Sequence, residues 1–288
     1  MKQSRIWSFA TAAGLIGLAA WAMPALAQDQ STPVLGAPHD KGIGLQAPAT
    51  DLAEQLDFVH NDVLMPIITV ITLFVLALLL IVIFRFRESK NPVPSKNAHN
   101  TLLEVAWTIV PALVLVFIAV FSFPLLYKQL EIPTPGLTIR AIGHQWYWSY
   151  EYPDNGNFTF DANVIEKADI KPGENYLLDT DNEVVLPVDT DIRVQITGGD
   201  VIHSWTVPAF GVKHDAVPGR TNESWFNIKH PGIYYGQCSE LCGVRHAYMP
   251  IKVHAVTKEE FQAWVADAQK KFAKVDGTPP TKDVAAAE

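Results

Sequence analysis

Two long apolar stretches constrain the fold of this chain of 288 residues more than any other feature. The first covers about residues 63–84 and the second about residues 105–127, and neither contains a charged side chain. An α-helix crosses the hydrocarbon core of a bilayer with about 20 apolar residues. Each stretch therefore predicts a membrane-spanning helix, and together they predict a helical hairpin over residues 62–128.

Basic residues between the two stretches predict how the hairpin is oriented. The connecting segment contains four of them: Arg85, Arg87, Lys90 and Lys96. Residues 28–61, which precede the first helix, contain one basic residue, Lys41, and five acids. Because loops rich in lysine and arginine stay in the cytoplasm, both ends of the chain are predicted to lie outside. The sequence thus predicts a two-pass protein of a bacterial inner membrane with its large domain in the periplasm.

The first 27 residues have the features of a cleaved secretory signal peptide. Lys2 and Arg5 give a positive start, and residues 11–21 are apolar. The run A-L-A at residues 25–27 is a small-residue cleavage site. An uncleaved first membrane helix is the alternative interpretation of residues 1–27.

The part of the chain beyond the hairpin predicts an all-β external domain. Short β-rich runs recur over residues 133–256 between turn residues such as Pro, Gly, Asp and Asn. The runs cover residues 137–142, 145–152, 174–180, 192–197, 224–228 and 250–255. This pattern is typical of a β-sandwich or barrel, and a greek-key fold with its site on loops at one end fits it.

Three shorter segments flank the hairpin and the external domain. Residues 28–61 predict a periplasmic arm with a short helix over Asp51–Phe58. Residues 257–274 predict a C-terminal helix, because Thr257 and Glu260 form a capping box before an apolar face. That face consists of Phe261, Trp264, Val265 and Ala268. Residues 275–288 predict a disordered tail.

The only two cysteines of the chain lie close to other metal-binding side chains. Cys238 and Cys242 are followed by His246 and Met249, and His203 lies upstream. Thiolates, imidazoles and a thioether are ligands that favour copper. Two thiolates can bridge two copper ions while one histidine caps each ion. Such a pair suits fast electron transfer rather than chemistry on a substrate.

Two other interpretations of the cysteine pair are open. An exported domain can join two cysteines in a disulfide, and two cysteines can form half of a zinc site. A disulfide gives no role to His246 and Met249, and a zinc site gives none to the methionine. The ligand set therefore favours copper.

Three motifs resemble a known family. Residues 238–249 read C-S-E-L-C-G-V-R-H-A-Y-M, and V-I-H-S-W around His203 precedes them. Residues 143–152 read G-H-Q-W-Y-W-S-Y-E-Y. Together they resemble subunit II of the cytochrome c oxidases, and the resemblance covers about residues 104–256. It implies a cupredoxin-like domain with a dinuclear copper centre, CuA.

The resemblance implies a function in respiration. A subunit of this family accepts electrons from cytochrome c at CuA and passes them to haem in subunit I, where oxygen is reduced to water and protons are pumped. The implied partners are subunit I with its haems and CuB, subunit III, cytochrome c and the membrane, without nucleic acid. The chain has no C-x-x-C-H haem motif, so oxygen chemistry is expected in another subunit.

Three related classes of protein are alternatives. A quinol oxidase subunit II lacks copper, which the intact ligand set disfavours. A nitrous oxide reductase joins a similar copper domain to a large additional domain, which the sequence does not predict. A membrane-anchored copper carrier would need neither the tryptophan motif nor Glu104.

The resemblance assigns metal ligands residue by residue. It implies six copper ligands: the side chains of His203, Cys238, Cys242, His246 and Met249, and the backbone carbonyl of Glu240. The thioether and the carbonyl are weak ligands that tune the potential. The Glu240 carboxylate matches a ligand of a magnesium ion shared with subunit I, for which a hard oxygen ligand is apt. A solvated glutamate is the alternative.

Other positions match residues that serve electron transfer. Trp146 matches the tryptophan through which electrons arrive from cytochrome c. On a strand it would share a face with Trp148, Tyr150 and Tyr152, for which a core role is expected. Four acids match docking positions for cytochrome c: Glu151, Asp154, Asp181 and Asp200. Two positions that are acidic in relatives carry Gly156 and Asn157 here, so we expect a weaker or relocated docking surface.

Glu104 matches a residue at the mouth of a proton pathway into subunit I. It lies at the predicted cytoplasmic start of the second membrane helix. A carboxylate there is also favoured by the helix dipole alone, which is the alternative explanation.

Overall fold

The computed structural model describes residues 32–272 of the chain. Helices make up its membrane part. The α-helices in this range are Asp51–Phe58 (α1), Met65–Arg85 (α2), Thr101–Leu130 (α3) and Lys258–Lys271 (α4). α2 and α3 are the two apolar helices of the predicted hairpin. The predicted signal peptide over residues 1–27 and tail over residues 275–288 lie outside the described residues, as do the last two residues of the predicted C-terminal helix.

The first membrane helix is longer than the sequence predicts. α1 has the predicted bounds, but it continues through a π-helical turn at Val59–Leu64 directly into α2. The result is one helix of 35 residues, Asp51–Arg85. Pro66 follows the π-turn closely. A proline ring clashes with the carbonyl four residues earlier in a regular α-helix, so a wider turn is expected there.

α3 begins at a clear cap and tolerates two prolines. The side-chain oxygen of Asn100 accepts a hydrogen bond from the backbone N–H of Leu103 at 3.2 Å. Pro111 and Pro124 lie inside the helix without ending it. The most apolar windows of the two spans are only 0% and 6% buried within the described chain. Their surfaces therefore require lipid or other chains as cover.

The external domain is built from two mixed β-sheets and a separate strand pair. Its strands are Val34–Gly36 (β1), Leu137–His144 (β2), Tyr147–Tyr152 (β3), Phe158–Ala162 (β4), Val184–Pro187 (β5), Asp191–Gly198 (β6), His203–Val207 (β7), Val212–Ala216 (β8), Asn222–Asn227 (β9), Gly232–Gln237 (β10) and Pro250–Val256 (β11). One sheet has the order β4-β3-β2-β6-β9, the second has the order β1-β10-β11-β5, and β7 pairs with β8. The predicted all-β external domain is confirmed.

One predicted strand is wrong. Residues 174–180 form turns rather than a strand. Leu177 has a φ of 67°, which belongs to the left-handed region. The side chain of Asp179 accepts a hydrogen bond from the backbone N–H of Asn175 at 2.6 Å. Such local side-chain contacts replace the hydrogen bonds of a strand ladder.

The aromatic strand is shorter than predicted. It begins at Tyr147, and Gln145 and Trp146 form the turn between β2 and β3. Trp146 therefore does not share a strand face with the other aromatic residues, and this part of the prediction is wrong. Three residues alternate onto one face and are fully buried: Trp148, Tyr150 and Tyr152. The hydroxyl of Tyr152 donates to the carbonyl of Val185 at 2.9 Å and so joins the two sheets.

α4 packs on this aromatic core. The predicted capping box is present, with both hydrogen bonds between Thr257 and Glu260. The buried residues of the helix are Phe261, Val265 and Ala268. The ring of Trp264 lies 5.2 Å from that of Tyr152. The predicted apolar face of the C-terminal helix is therefore confirmed.

Both ends of the hairpin are attached to the external domain. Before the first helix, β1 pairs in parallel with β10. The hydroxyl of Thr50, the N-cap of α1, donates to the carbonyl of Phe210 at 2.9 Å. At the end of α3, the indole N–H of Trp225 donates to the carbonyl of Lys128 at 3.0 Å. The domain therefore contacts both membrane helices.

A network of charged side chains ties the segment before β5 to β11. Asp179 is 2% exposed and accepts from Nζ of Lys252 at 2.8 Å. Glu183 lies 2.8 Å from Nδ1 of His254. Burial alone would raise the pKa of Glu183, but the hydrogen bond with His254 and the charge of Lys252 outweigh it, so the pKa lies below its ordinary value of 4.5.

This depressed pKa predicts a loss of stability in acid. A carboxyl group whose pKa is lower in the folded state stabilises the fold above its unfolded pKa, and this contribution disappears as the pH falls through the folded pKa. We therefore expect the thermal midpoint of the wild-type chain to fall more steeply below pH 4.5 than that of Glu183→Gln. Thermal scans in detergent at several pH values would check this. Equal slopes of the thermal midpoint against pH in the wild-type chain and Glu183→Gln would contradict the prediction. Glu259→Gln, which changes an exposed glutamate, is the control and should behave like the wild-type chain.

Candidate metal centre

Five of the six predicted copper ligands lie on one loop, residues 238–249, which we call the ligand loop. The antiparallel strands β10 and β11 hold its two ends together, with Gln237 opposite Pro250. The sixth ligand, His203, is the first residue of β7 and is fully buried. The fold thus brings together residues that are far apart in the sequence.

The two cysteines and two histidines form a row. Nδ1 of His203 lies 3.9 Å from Sγ of Cys238, and the two Sγ atoms lie 4.0 Å apart. Sγ of Cys242 lies 3.5 Å from Nδ1 of His246. One histidine therefore stands at each end of a central sulfur pair. The donor atoms of His203, Cys238 and Cys242 all lie within 4.8 Å of one another.

Two weaker donors complete the set. Sδ of Met249 lies 3.5 Å from Sγ of Cys242, and the carbonyl oxygen of Glu240 lies 3.4 Å from Sγ of Cys238. Both cysteines are free thiols, so the structure does not contain the alternative disulfide. A zinc site would leave the thioether without a role. This chemistry of donors fits copper.

The two thiols differ in acidity. Burial disfavours the thiolate of Cys238, but its hydrogen bond with His203 and contacts with backbone groups outweigh burial, so the pKa lies below its ordinary value. At Cys242, burial and the neighbouring Cys238 raise the pKa to about 12. Since thiolates are the form that binds metal, metal binding must displace a proton from Cys242 at neutral pH.

Asp200 holds His203 from outside the ligand set. Its Oδ1 lies 2.8 Å from Nε2 of His203, which leaves Nδ1 facing Cys238. The same carboxylate accepts hydrogen bonds from the backbone N–H groups of Val201 at 2.6 Å and Gln145 at 2.7 Å. A carboxylate in this position fixes the orientation of a metal-binding ring. The sequence predicts Asp200 only as a docking acid.

Trp146 lies against the ligand loop. Its side chain is partly buried and packs on the core. A methyl group placed on Gly243 would lie 2.9 Å from Cζ2 of Trp146, and Gly243 has a φ of 129°. Only glycine suits that contact and that backbone conformation. Because Gly243 follows Cys242, the indole lies next to the candidate ligands.

Two predicted docking acids lie away from the Trp146 turn. Glu151 pairs with Arg140 at the end of the β2–β3 ladder that is farther from the turn, and it forms an ion pair with Arg140 at 3.0 Å. Asp154 follows β3 and accepts a hydrogen bond from the backbone N–H of Thr138 at 2.7 Å. Thr138 lies at the start of β2, whereas the turn that contains Trp146 follows the end of β2. Asp154 therefore lies at the opposite end of the strand from that turn.

Other acids surround the turn more closely. Burial, followed by the charges of Asp161 and Asp200, raises the pKa of Tyr147. Asp181 accepts a hydrogen bond at 2.7 Å from the backbone N–H of Asn163, which follows β4. The sequence motifs do not single out Asp161. The alternation of buried and partly exposed residues along β4 is the signal that places it on the outer face.

Glu240 and Glu104 lie at positions that agree with the role implied by the resemblance and also with its alternative. The side chain of Glu240 is exposed on the ligand loop, while its carbonyl oxygen faces Cys238. Glu104 lies in the first turn of α3, where the helix dipole favours a negative charge. The structure places each residue where the sequence predicts it without assigning either role.

Known proteins match this chain over both of its parts. Residues 137–256 match the family described as cytochrome c oxidase subunit II, periplasmic domain, and residues 38–125 match its transmembrane domain. The cytochrome c oxidase subunit 2 of Cereibacter sphaeroides is 46% identical over 276 residues, which cover 90% of this chain and 90% of the relative. The probable subunit 2 of Rickettsia prowazekii is 50% identical over 224 residues, which cover 78% and 71%.

A solved structure is also similar. It is the periplasmic domain of subunit II of the cytochrome oxidase of Bradyrhizobium japonicum, with 56% sequence identity and a TM-score of 0.47. The match covers 50% of this chain and 100% of that domain. The part of the chain that it matches is thus about half of the sequence.

An apolar hairpin that carries a cupredoxin-like domain with a cysteine–histidine metal site defines a class of membrane-anchored metal-binding proteins. Within that class, the two family matches and the identity to full-length relatives decide the family. The chain belongs to the cytochrome c oxidase subunit II family. It is therefore a subunit of a cytochrome c oxidase, a membrane-bound oxidoreductase complex, and its partners include other oxidase subunits.

The position of Asp200 predicts its effect on metal binding. We expect Asp200→Asn to lower copper affinity by roughly 10- to 100-fold, because outer carboxylates of this kind contribute on that scale. Competition between the full chain in detergent and a chelator of known affinity would measure it. Asp154→Asn is the matched control, since its carboxylate also accepts a backbone hydrogen bond. Equal affinities of the two variants would show that Asp200 does not support His203.

Proposed function

We propose that this chain receives electrons one at a time from a cytochrome c and delivers them to haem in subunit I. The observation that carries the proposal is the row from His203 to His246, centred on two free thiols 4.0 Å apart. When bound, a copper pair of the CuA type supplies a one-electron redox centre there. The chain itself contributes ligands, a donor surface and a membrane anchor, while oxygen reduction and proton translocation belong to the rest of the complex.

The side chains of the row have distinct roles in this proposal. When copper is bound, Cys238 and Cys242 would hold the middle of the site, and His203 and His246 would each hold one end. The weak donors are the Met249 thioether and the Glu240 carbonyl. Their positions are supported by the β10–β11 pairing and by the indole N–H of Trp148, which donates to the carbonyl of Met249 at 3.3 Å. Ligands held in advance need little rearrangement with each electron.

Trp146 is the proposed contact for electrons from the donor. Its packing on Gly243 beside Cys242 supports this role. For docking of a basic donor, we propose the acids around the turn, Asp161, Asp181 and Asp200, as the main surface. Glu151 and Asp154 are at most its outer part, because one is ion-paired and both lie toward the far end of β3.

Further proposals follow from the family and from the sequence. The exposed Glu240 carboxylate would bind a magnesium ion together with ligands of subunit I. Glu104 would lie at the mouth of a proton pathway into subunit I, and subunit III would complete the complex. The basic segment after α2 would lie in the cytoplasm and the external domain in the periplasm, after cleavage of residues 1–27.

Metal stoichiometry tests the proposed centre. We expect the full chain to bind two copper ions and to give the EPR signal of one electron shared between them, because two thiolates lie between two histidines. Met249→Leu should retain copper with an altered potential, since a thioether is a weak ligand. Cys242→Ser should lose the shared signal.

The same measurement contains its control. Ser239→Ala changes a neighbouring exposed residue of the ligand loop and should leave both copper ions and their spectrum unchanged. Copper analysis together with EPR would decide the matter. One copper ion per wild-type chain would rule out a dinuclear centre.

Stopped-flow reduction by cytochrome c tests the role of Trp146. Trp146→Gln should lower the rate within the bound complex at every ionic strength, because it removes the contact. Asp161→Asn should instead slow association, and mainly at 0.01 M salt, where the Debye length is about 30 Å. The copper spectrum should stay normal in both variants. A wild-type rate at saturating donor in Trp146→Gln would eliminate this residue as the contact.

A further inference from the structure

Trp146 lies outside the strand ladder, so another contact must fix its position. The pairing of β2 with β3 ends at His144 opposite Tyr147. Gln145 and Trp146 form the turn beyond this pair. A residue in a turn is not held by sheet hydrogen bonds on both sides, as Trp148 is. The location of the indole therefore depends on what anchors the turn.

Gln145 anchors the turn at two places. Its backbone N–H donates to Oδ2 of Asp200 at 2.7 Å, on the side of His203. Its side-chain amide Nε2 donates to the carbonyl of Cys242 at 2.9 Å, on the ligand loop. One exposed residue thus connects the turn to both segments that supply ligands.

The amide and the indole rest on the same piece of backbone. A methyl group on Gly243 would lie 3.2 Å from Nε2 of Gln145 and 2.9 Å from Cζ2 of Trp146. The hydrogen bond to Cys242 therefore ends one residue from the surface on which the indole packs. Loss of that bond would leave the turn anchored at Asp200 alone and would release it where Trp146 meets the ligand loop, without removing a ligand.

We infer that Gln145 is a positioning residue for electron transfer: its amide holds Trp146 against Gly243. The inference rests on the proposed function of Trp146. A neutral amide suits the task because it donates to a carbonyl and has the reach of the glutamine side chain. A methionine has similar length but no donor, and a glutamate would place an acceptor against the carbonyl oxygen.

The first test observes Trp146 directly in the metal-free full chain in detergent. Six of the eight tryptophans lie after residue 27 and stay in the chain when residues 1–27 are cleaved, and 5-fluorotryptophan labelling gives each a ¹⁹F resonance. The Trp146 resonance is identified by its absence in Trp146→Phe. In Gln145→Met we expect this resonance alone to move and to show a larger H₂O–D₂O shift, because the indole is released to solvent.

Gln269→Met is the matched control. The amide of Gln269 also donates to a distant backbone carbonyl, that of Asn155, at 2.6 Å. This variant should leave the Trp146 resonance unchanged. If Gln145→Met disturbs all resonances, Gln145→Asn, which shortens the amide by one methylene, replaces it with the same expected result. An unmoved Trp146 resonance in a folded Gln145 variant overturns the inference.

The second test separates positioning from docking in the copper-loaded oxidase. With cytochrome c as donor, Gln145→Met should lower the rate at saturation severalfold, because an indole displaced from Gly243 lengthens the path from the donor to the ligands. The half-saturating donor concentration and the copper spectrum should not change. A raised half-saturation with a normal saturated rate would make Gln145 a docking residue and overturn the inference, as would an altered copper spectrum.

These tests also separate the inference from the proposed function. If Trp146→Gln transfers electrons at the wild-type rate, the proposed role of Trp146 fails. The ¹⁹F measurement on Gln145→Met still decides whether Gln145 positions the indole.

Discussion

The close approach of β7 to β10 is the contact on which the candidate metal centre depends. β10 leads directly to Cys238, and β7 begins with His203. At Gly236 the two backbones come so near that a methyl group would lie 1.9 Å from the carbonyl oxygen of Thr206. Any larger residue would push the strands apart and separate the histidine from the ligand loop. The distance between His203 and the ligand loop therefore depends on the glycine at position 236, two residues before the first cysteine.

Two kinds of contact hold the candidate ligands in place. On the inner side, the ladder between β10 and β11 closes the ligand loop, and the buried Trp148 donates a hydrogen bond to the carbonyl of Met249. On the outer side, Asp200 and Gln145 tie the turn of Trp146 to the ligand-bearing segments by hydrogen bonds. The inner contacts belong to a core that any β-sandwich needs. The outer contacts join the turn of Trp146 to the two segments that supply the ligands.

Sequence patterns predict the elements with strong local signals. The apolar runs, the capping box at Thr257 and the alternation from Trp148 to Tyr152 all appear as expected. The strand predicted over residues 174–180 is absent, because Asp179 bonds to local backbone and to Lys252 instead. Trp146 belongs to a turn because contacts with Asp200 and Gly243, distant in sequence, decide its conformation. Periodicity carries no information about such contacts, and so it also leaves out the two hydrogen bonds of Gln145.

The continuous helix Asp51–Arg85 makes the external domain sensitive to bilayer thickness. Its first turns are buried in the domain at Leu52 and Ala53, while its last turns are apolar and exposed. A helix adapts to a thinner membrane by tilting. Because the helix is continuous from one part to the other, tilt of its apolar end also moves its buried end, which lies close to Phe210 and Gly211. Lipids that match the length of the helix would therefore keep the metal-binding domain at a fixed height and angle above the membrane.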